Sequence, residues 1–257
     1  MINVGIGGVY GRMGQAVVQA VSETHDLKIA AGVARAGLSG HAGARQDFPV
    51  SAELRDHIDL IEVFIDFSSA AGMAGHLKIC AEAGVPYAGG VTGLEDAHRE
   101  ALVEASTRIP VFYAANFSIG VAVVAELVRQ TAGWMPDADV EVVELHHRRK
   151  RDAPSGTAIV LIEAIEEGRA DDERRHVFGR SGESPRQPGE IGVHSLRGGG
   201  NPGEHQVLFA TEGEEIWIGH RALSRSSFAA GALRAARWVT GQPPGLYGMS
   251  DLQRPEP

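Results

Sequence analysis

The chain opens on a strand that runs straight into a cluster of glycines. Ile2, Val4 and Ile6 recur at period two, the pattern of a strand with one face against a core. "IGGVYGRMG", residues 6–14, comes next, and Met13, Val17, Ala20 and Val21 then recur at helical spacing. Gly8, Gly11 and Gly14 are spaced GxxGxxG, with Tyr10 where the commoner GxGxxG has glycine. A strand that turns this tightly into a helix aims the amides of the first helical turn at whatever lies above the turn. That arrangement suits the pyrophosphate of a dinucleotide. Arg12 falls in the first turn, within reach of a phosphate. A tight turn with no ligand is the competing reading of the same glycines.

The alternation of strand and helix continues. Leu27, Ile29, Ala31 and Val33 alternate, and "IEVFIDFS", "VPYAGGV" and "IPVFYAANFS" read as further strands, with helices around residues 72–83 and 95–107. This order predicts a parallel sheet with right-handed crossovers, an α/β fold. At the end of the second strand, where an acid would hold the ribose 2′-hydroxyl of NAD, the sequence reads "GVARAG". Ala34 stands in the acid's place and Arg35 follows it, so a 2′-phosphate is tolerated there; a solvated Arg35 is the plainer alternative.

The texture changes after residue 117. "DVEVVELHH" reads as a strand, residues 157–167 as a helix, 168–206 as a stretch rich in glycine, proline and charge, and "HQVLFATEGEEIWIGHRA" as a hairpin. Strands in succession predict a second domain with a mixed or antiparallel sheet. The final run, "SSFAAGALRAARWVTG", is an amphipathic helix with Ala229, Leu233, Ala236 and Val239 on its buried stripe.

"ELHHRRKRDAPSGTA", residues 144–158, concentrates protons and positive charge in a chain whose net charge is -9. Pro154 disfavours helix at Ala153, Ser155 is placed to cap a helix, and Ala158, Leu161, Ile162 and Ile165 follow at i, i+3, i+4, i+7. Gly156 and Thr157 then lie in a first turn, a site for a small anion, with His146, His147 and Lys150 just upstream. The segment reads as a place where a carboxylate is bound and gains a proton. A solvated basic loop, a metal site and a phosphate contact compete with that reading. Adjacent histidines on an extended chain point apart and no HExxH or cysteine pair accompanies them, so no metal is expected. The acidic balance argues against nucleic acid and anionic membrane as partners. Cys80, the single cysteine, falls in a helix-like run and reads as a core residue. With no secretory signal and no apolar run near the ~20 residues that cross a bilayer, a cytoplasmic protein is expected.

The same segment resembles the signature of the 4-hydroxy-tetrahydrodipicolinate reductase family, also called dihydrodipicolinate reductase, of lysine and diaminopimelate biosynthesis. "GRMG", "DFS" at 66–68, "GGVTG" at 89–93, "AANFSIGV" at 114–121, "GEIGVHSLRGG" at 189–199 and "SRSSFAAGA" at 224–232 agree in order, so the resemblance runs nearly the whole chain. It implies a Rossmann-type dinucleotide-binding domain from residues 1–117 and 226–257, and an inserted substrate-binding and tetramerisation domain at 118–225. It implies NADPH or NADH as cofactor, a small dicarboxylate as substrate and a homotetramer. His146 matches the family's proton donor or acceptor and Lys150 its proton donor; His147, Gly156 and Thr157 match substrate-binding positions. Gly8, Val9, Tyr10, Gly11, Arg12 and Met13 match the cofactor turn. Arg35 matches a phosphate-linked arginine. Gly90, Val91 and Thr92 match one cofactor loop, and Ala114, Ala115, Asn116 and Phe117 a second. Tyr10 and Val91 depart from the family's usual residues, and Ala34 replaces the acid found in some members. Another NAD(P)-dependent reductase of a small imine or amino acid, or a dinucleotide sensor without turnover, are the alternatives.

Overall fold

A computed structural model describes residues 1–35, 37, 47–170 and 175–253. The chain divides into two compact units, Met1–Ser118 with Arg225–Pro257, and Ile119–Ser224.

The first unit is built on a seven-stranded sheet. Its strands are β1 (Ile2–Gly7), β2 (Leu27–Val33), β3 (Val50–Ser51), β4 (Val63–Asp66), β5 (Tyr87–Gly89), β6 (Pro110–Tyr113) and β12 (Gly245–Tyr247), in the order β12-β6-β5-β4-β1-β2-β3. Every pairing is parallel, as the strand–helix alternation requires. Helices α1 (Arg12–Ser22) and α6 (Ser226–Val239) pack together with Val4, Ile6, Ile65 and Phe112 beneath them. Helices α2 (Ala70–Ala83) and α3 (Asp96–Ser106) bury Met73, Leu77 and Leu102 with Phe64, Tyr87 and Val111. Ala229, Leu233, Ala236 and Val239 are all buried, the stripe expected of α6, and Cys80 is a core residue. Burial pushes its thiol well above the ordinary range, which leaves it unreactive. Chain order reverses at β1, which has β2 on one side and β4 on the other. That reversal opens a crevice at the carboxyl ends of the strands, the place where open α/β sheets take ligands.

The second unit is a five-stranded mixed sheet with two helices on one face. Its strands are β7 (Asp139–His146), β8 (His176–Phe178), β9 (Ile191–Arg197), β10 (Glu204–Ala210) and β11 (Glu215–Arg221), in the order β11-β10-β7-β9-β8. The expected hairpin is β10–β11, and β7 runs antiparallel to β10 and parallel to β9. Helices α4 (Ile119–Trp134) and α5 (Gly156–Arg169) pack against each other and cover Val140, Val142, Val193, Val207 and Phe209. Strand period two then carries Glu144 and His146 onto that same covered face, where the apolar run gives way to charge.

The sequence predicted neither α4 nor β9. Helix α4, "IGVAVVAELVRQTAGW", is apolar nearly all round: Val121, Val124 and Val128 are buried while Val123, Leu127 and Trp134 are exposed, so no single stripe stands out. Strand β9 sits in the stretch rich in glycine, proline and charge, and its partners on either side, β7 and β8, supply the order that local propensity does not.

Candidate active site

The cluster in the second unit starts from Glu144, whose side chain is fully buried. Sheet register sets its neighbours: His205 lies directly across on β10 and Ser195 on β9, while Arg197 lies across from His146. The Arg197 guanidinium holds both carboxylate oxygens, Nη1 to Oε2 at 2.9 Å and Nη2 to Oε1 at 2.8 Å. The Ser155 amide donates to Oε1 at 3.3 Å, and Nδ1 of His146 makes a short contact with Oε2. Burial acts to raise the Glu144 pKa. It is overcome by hydrogen bonds from Arg197, His146 and Ser195, which bring the carboxyl down to about 2.

His146 is 7 % exposed. With Nδ1 turned to Glu144, its other nitrogen, Nε2, faces Gly203: a Cβ built there would lie 3.0 Å from Nε2, so a side chain at 203 would cover the atom. Burial lowers the His146 pKa, Glu144 draws it back up, and Lys150 and Arg197 push it down; the result lies below the ordinary histidine value.

The start of α5 is joined to the same carboxylate. Ser155 is its N-cap, as the sequence predicted: its Oγ accepts from the amide of Ala158 at 3.2 Å and meets Nε2 of His205 at 3.0 Å. The amides of Gly156 and Thr157 lead the helix ahead of the capped one, where helix geometry orients N–H groups outward. Among the described residues, no atom beyond Gly156's own neighbours and helix backbone lies within 4 Å of where a Cβ on Gly156 would sit, so an anion has room to approach. Lys150 carries its ammonium 2.8 Å from Asp152, and Arg197 also donates to the Asp152 carbonyl, which fixes the loop between β7 and α5. His147, on the opposite side of the chain from His146, donates its amide to Asn201; its Nδ1 is enclosed without a hydrogen-bond partner among the described residues. Arg148 and Arg149 are exposed.

Glu144, Arg197 and His205 were not among the residues singled out from the sequence. Glu144 could have been found, because it stands two positions before His146 on a strand. Arg197 and His205 come from other strands, and only the sheet register brings them in. Glu144, His146 and His205 offer donor atoms within 4.8 Å of one another, a grouping of the kind that holds metal ions elsewhere. Here the carboxylate oxygens are committed to the guanidinium, an amide and an imidazole N–H, and the adjoining cation opposes a second one. The arrangement is that of a hydrogen-bonded hub.

The first unit gathers the other predicted residues at the carboxyl ends of its strands. The turn after β1 carries Gly8, Val9, Tyr10 and Gly11, and both Gly8 and Val9 donate to the carbonyl of Val33. Gly8 has φ +69, and a Cβ there would sit 2.6 Å from the Phe67 carbonyl, so only glycine fits. Gly14 lies against the Gly8 carbonyl, which lets α1 start hard against the turn. The N-cap of α1 is Gly11, and no side chain caps it; Arg12 is exposed and Met13 half-buried at the helix start. This open helix end above a glycine turn fits a dinucleotide pyrophosphate. Gly90, Val91 and Thr92 follow β5, and Ala114, Ala115, Asn116 and Phe117 follow β6. Val9, Val91 and Phe117 have their side chains in the core, so they can meet a ligand through backbone alone. Ala34 is buried at the end of β2, and Arg35 beside it is exposed.

Residues 2–117 match a family model described as "Dihydrodipicolinate reductase, N-terminus", and residues 120–252 match one described as "Dihydrodipicolinate reductase, C-terminus". The chain belongs to the dihydrodipicolinate reductase family. Among the family's members, the 4-hydroxy-tetrahydrodipicolinate reductase of an Anaeromyxobacter species is 44% identical, with 98% of this chain and 97% of that one aligned. That of Zymomonas mobilis is 41% identical over 98% of this chain and 96% of its own. A dipicolinate-bound dihydrodipicolinate reductase from Paenisporosarcina sp. TG-14 superposes with TM-score 0.80 at 28% identity, covering 98% of this chain and 99% of that one. An amine dehydrogenase from Mycobacterium smegmatis shares the fold, with TM-score 0.67 at 12% identity over 100% of this chain and 97% of its own. As a member of this family the chain is an oxidoreductase that uses a nicotinamide dinucleotide.

The cluster around Glu144 carries an acid-sensitive element. Burial first, and then the nearby His146, bring the His205 pKa down to about 3. In the unfolded chain a histidine titrates near ~6.5. The unfolded chain therefore binds the extra proton first, and the stability present above about pH 6.5 is lost as pH falls toward 3. His205→Asn is expected to flatten the loss of stability between about pH 6.5 and 4, read as urea midpoints at a series of pH values. An unchanged slope would assign the acid sensitivity elsewhere.

Proposed function

We propose that this chain reduces 4-hydroxy-tetrahydrodipicolinate to tetrahydrodipicolinate, the step its relatives are named for, with NADPH used at least as well as NADH. The observation that carries the reading is one buried carboxylate, Glu144, holding His146 by one oxygen and the start of α5 by the other. A proton-bearing ring and an anion-binding helix end are thereby fixed side by side. One carboxylate of the substrate binds at the amides of Gly156 and Thr157, and Lys150 adds its charge and steadies the negative charge that builds during reduction. His147 completes the substrate contacts.

When bound, the reduced nicotinamide supplies a hydride, and with one proton added and the 4-hydroxyl of the substrate leaving as water the reduction balances. His146 supplies the proton. Nδ1 stays with Glu144, and the proton leaves from Nε2 toward a ring carbon of the substrate. The arriving dianion raises the pKa of His146 from its lowered value and so favours the protonated donor. Gly8, Val9, Tyr10, Gly11, Arg12 and Met13 hold the pyrophosphate. Gly90, Val91, Thr92, Ala114, Ala115, Asn116 and Phe117 line the rest of the dinucleotide site, largely through backbone. The open face of the second unit's sheet exposes Leu196 at 46% and Trp217 at 55%. A sheet face that sets these exposed apolar side chains among charged ones such as Glu204 and Arg221 suits other copies of the chain, in keeping with a homotetramer. Among the described residues no helix is long and apolar enough to cross a membrane. We place the enzyme in the cytoplasm, where reduced dinucleotide is supplied.

The test is loss of NADPH absorbance with substrate generated in the cuvette by the synthase that precedes this step. Turnover that depends on the synthase supports the reading; none, with the protein folded, refutes it. Coenzyme choice follows from Ala34 and Arg35. With a buried alanine in the acid's place, no carboxylate at that position repels a 2′-phosphate, and the exposed guanidinium next to it attracts one. Arg35→Ala is expected to raise KM for NADPH by about 5- to 10-fold and to leave KM for NADH unchanged. Equal effects on both coenzymes would show that Arg35 does not reach the phosphate.

A further inference from the structure

Glu144 does more than neutralise the half-buried Arg197. Four groups from three parts of the site converge on its two oxygens: the His146 ring at the end of β7, the guanidinium of Arg197 and the hydroxyl of Ser195 on β9, and the amide of Ser155 at the N-cap of α5. A carboxylate accepts only, so every partner must present a hydrogen to it. Nδ1 of His146 is therefore the protonated nitrogen in the neutral ring, and the protonated ring carries its second hydrogen on Nε2, the nitrogen beside Gly203. Arg197 keeps the carboxylate charged in the interior and ties it to the loop carrying Lys150 through the Asp152 carbonyl. His205, packed edge-on against His146 with ring centroids 5.1 Å apart, holds the Ser155 hydroxyl from the other side.

We propose that Glu144 is the positioning residue of the substrate site: it sets the tautomer and aim of His146 and, through the Ser155 amide, ties that ring to the helix end that receives the substrate carboxylate. Its role rests on the reading of His146 as proton donor. Glu144 does not touch substrate; it acts through His146 and Ser155. A buried ion pair that served stability alone would leave the ring's proton chemistry unaltered when replaced by an isostere.

Glu144→Gln keeps the shape and an acceptor oxygen but removes the charge. Turnover is expected to fall by about 10- to 100-fold, as when an outer partner of a working histidine is lost, with the Kd for NADPH unchanged by fluorescence titration. The loss of activity as pH rises, which reports deprotonation of His146, is expected to move to lower pH, because the carboxylate no longer favours the charged ring. Wild-type turnover, or lowered turnover with the pH midpoint in place, overturns the proposal. Nitrogen-15 NMR of the histidines in the wild-type protein, with His146 assigned by its absence in His146→Gln, decides the matter even where Glu144→Gln does not fold. A neutral His146 protonated at Nδ1 supports the proposal, and one protonated at Nε2 overturns it. The two readings fail separately. A wild-type protein without turnover ends the proposed activity and leaves the tautomer to be read. A dead His146→Gln beside an unaltered Glu144→Gln ends the positioning role alone.

Discussion

His146→Gln is expected to lower kcat by about 10²-fold or more, the usual size of a lost general acid, while the KM for substrate changes little. Glutamine fills most of the space of the ring and can still donate to Glu144, so the cluster keeps its hydrogen bonds while losing its transferable proton. The split follows from where the interaction is made. Nε2 bears on the proton transfer, and the substrate's carboxylate is held by the helix end and Lys150. A loss of about 10² corresponds to about 2.7 kcal/mol of transition-state stabilisation. Steady-state turnover with saturating NADPH measures it, and near-normal kcat would remove His146 from the chemistry.

Lys150→Ala is expected to be as damaging in kcat, again about 10²-fold or more, and to raise KM for substrate as well. The reason is electrostatic. The ammonium sits 2.8 Å from Asp152, and with the lysine gone that carboxylate faces an incoming dianion without its paired cation. The Asp152 pKa shows how closely the two are coupled: burial raises it, and the hydrogen bond and charge of Lys150 outweigh that and hold it below the usual carboxylate range. A double variant, Lys150→Ala with Asp152→Asn, is expected to recover part of the KM and little of the kcat. Recovery of both would make Lys150 a neutraliser of Asp152 and nothing more.

The elements that set the proposed cofactor site are legible because each depends on local rules. A period-two strand, glycines that turn it and a helix with an uncapped start can all be read within the first twenty-two residues. The α5 cap was equally readable, since Pro154, Ser155 and the stripe Ala158, Leu161, Ile162, Ile165 act over a few positions. Helix α4 was hidden because its valines face two environments, and the strand β9 because glycine and proline surround it. The site divides in the same way. His146 and Lys150 stand out as proton carriers in one short run of sequence, whereas Arg197 and His205 reach Glu144 only by the pairing of β7 with β9 and β10. That pairing is a long-range choice, made by which faces must be buried together, and no window of sequence records it.

The proposed chemistry turns on where a dicarboxylate is held. A crystal structure of the protein with NADPH and pyridine-2,6-dicarboxylate, a planar mimic of the substrate ring, measures this directly. The expected result is one carboxylate on the amides of Gly156 and Thr157 within reach of Lys150, and the ring edge beside Nε2 of His146 while Nδ1 remains on Glu144. A dicarboxylate bound away from the start of α5, or a His146 ring turned so that Nε2 meets Glu144, would contradict it.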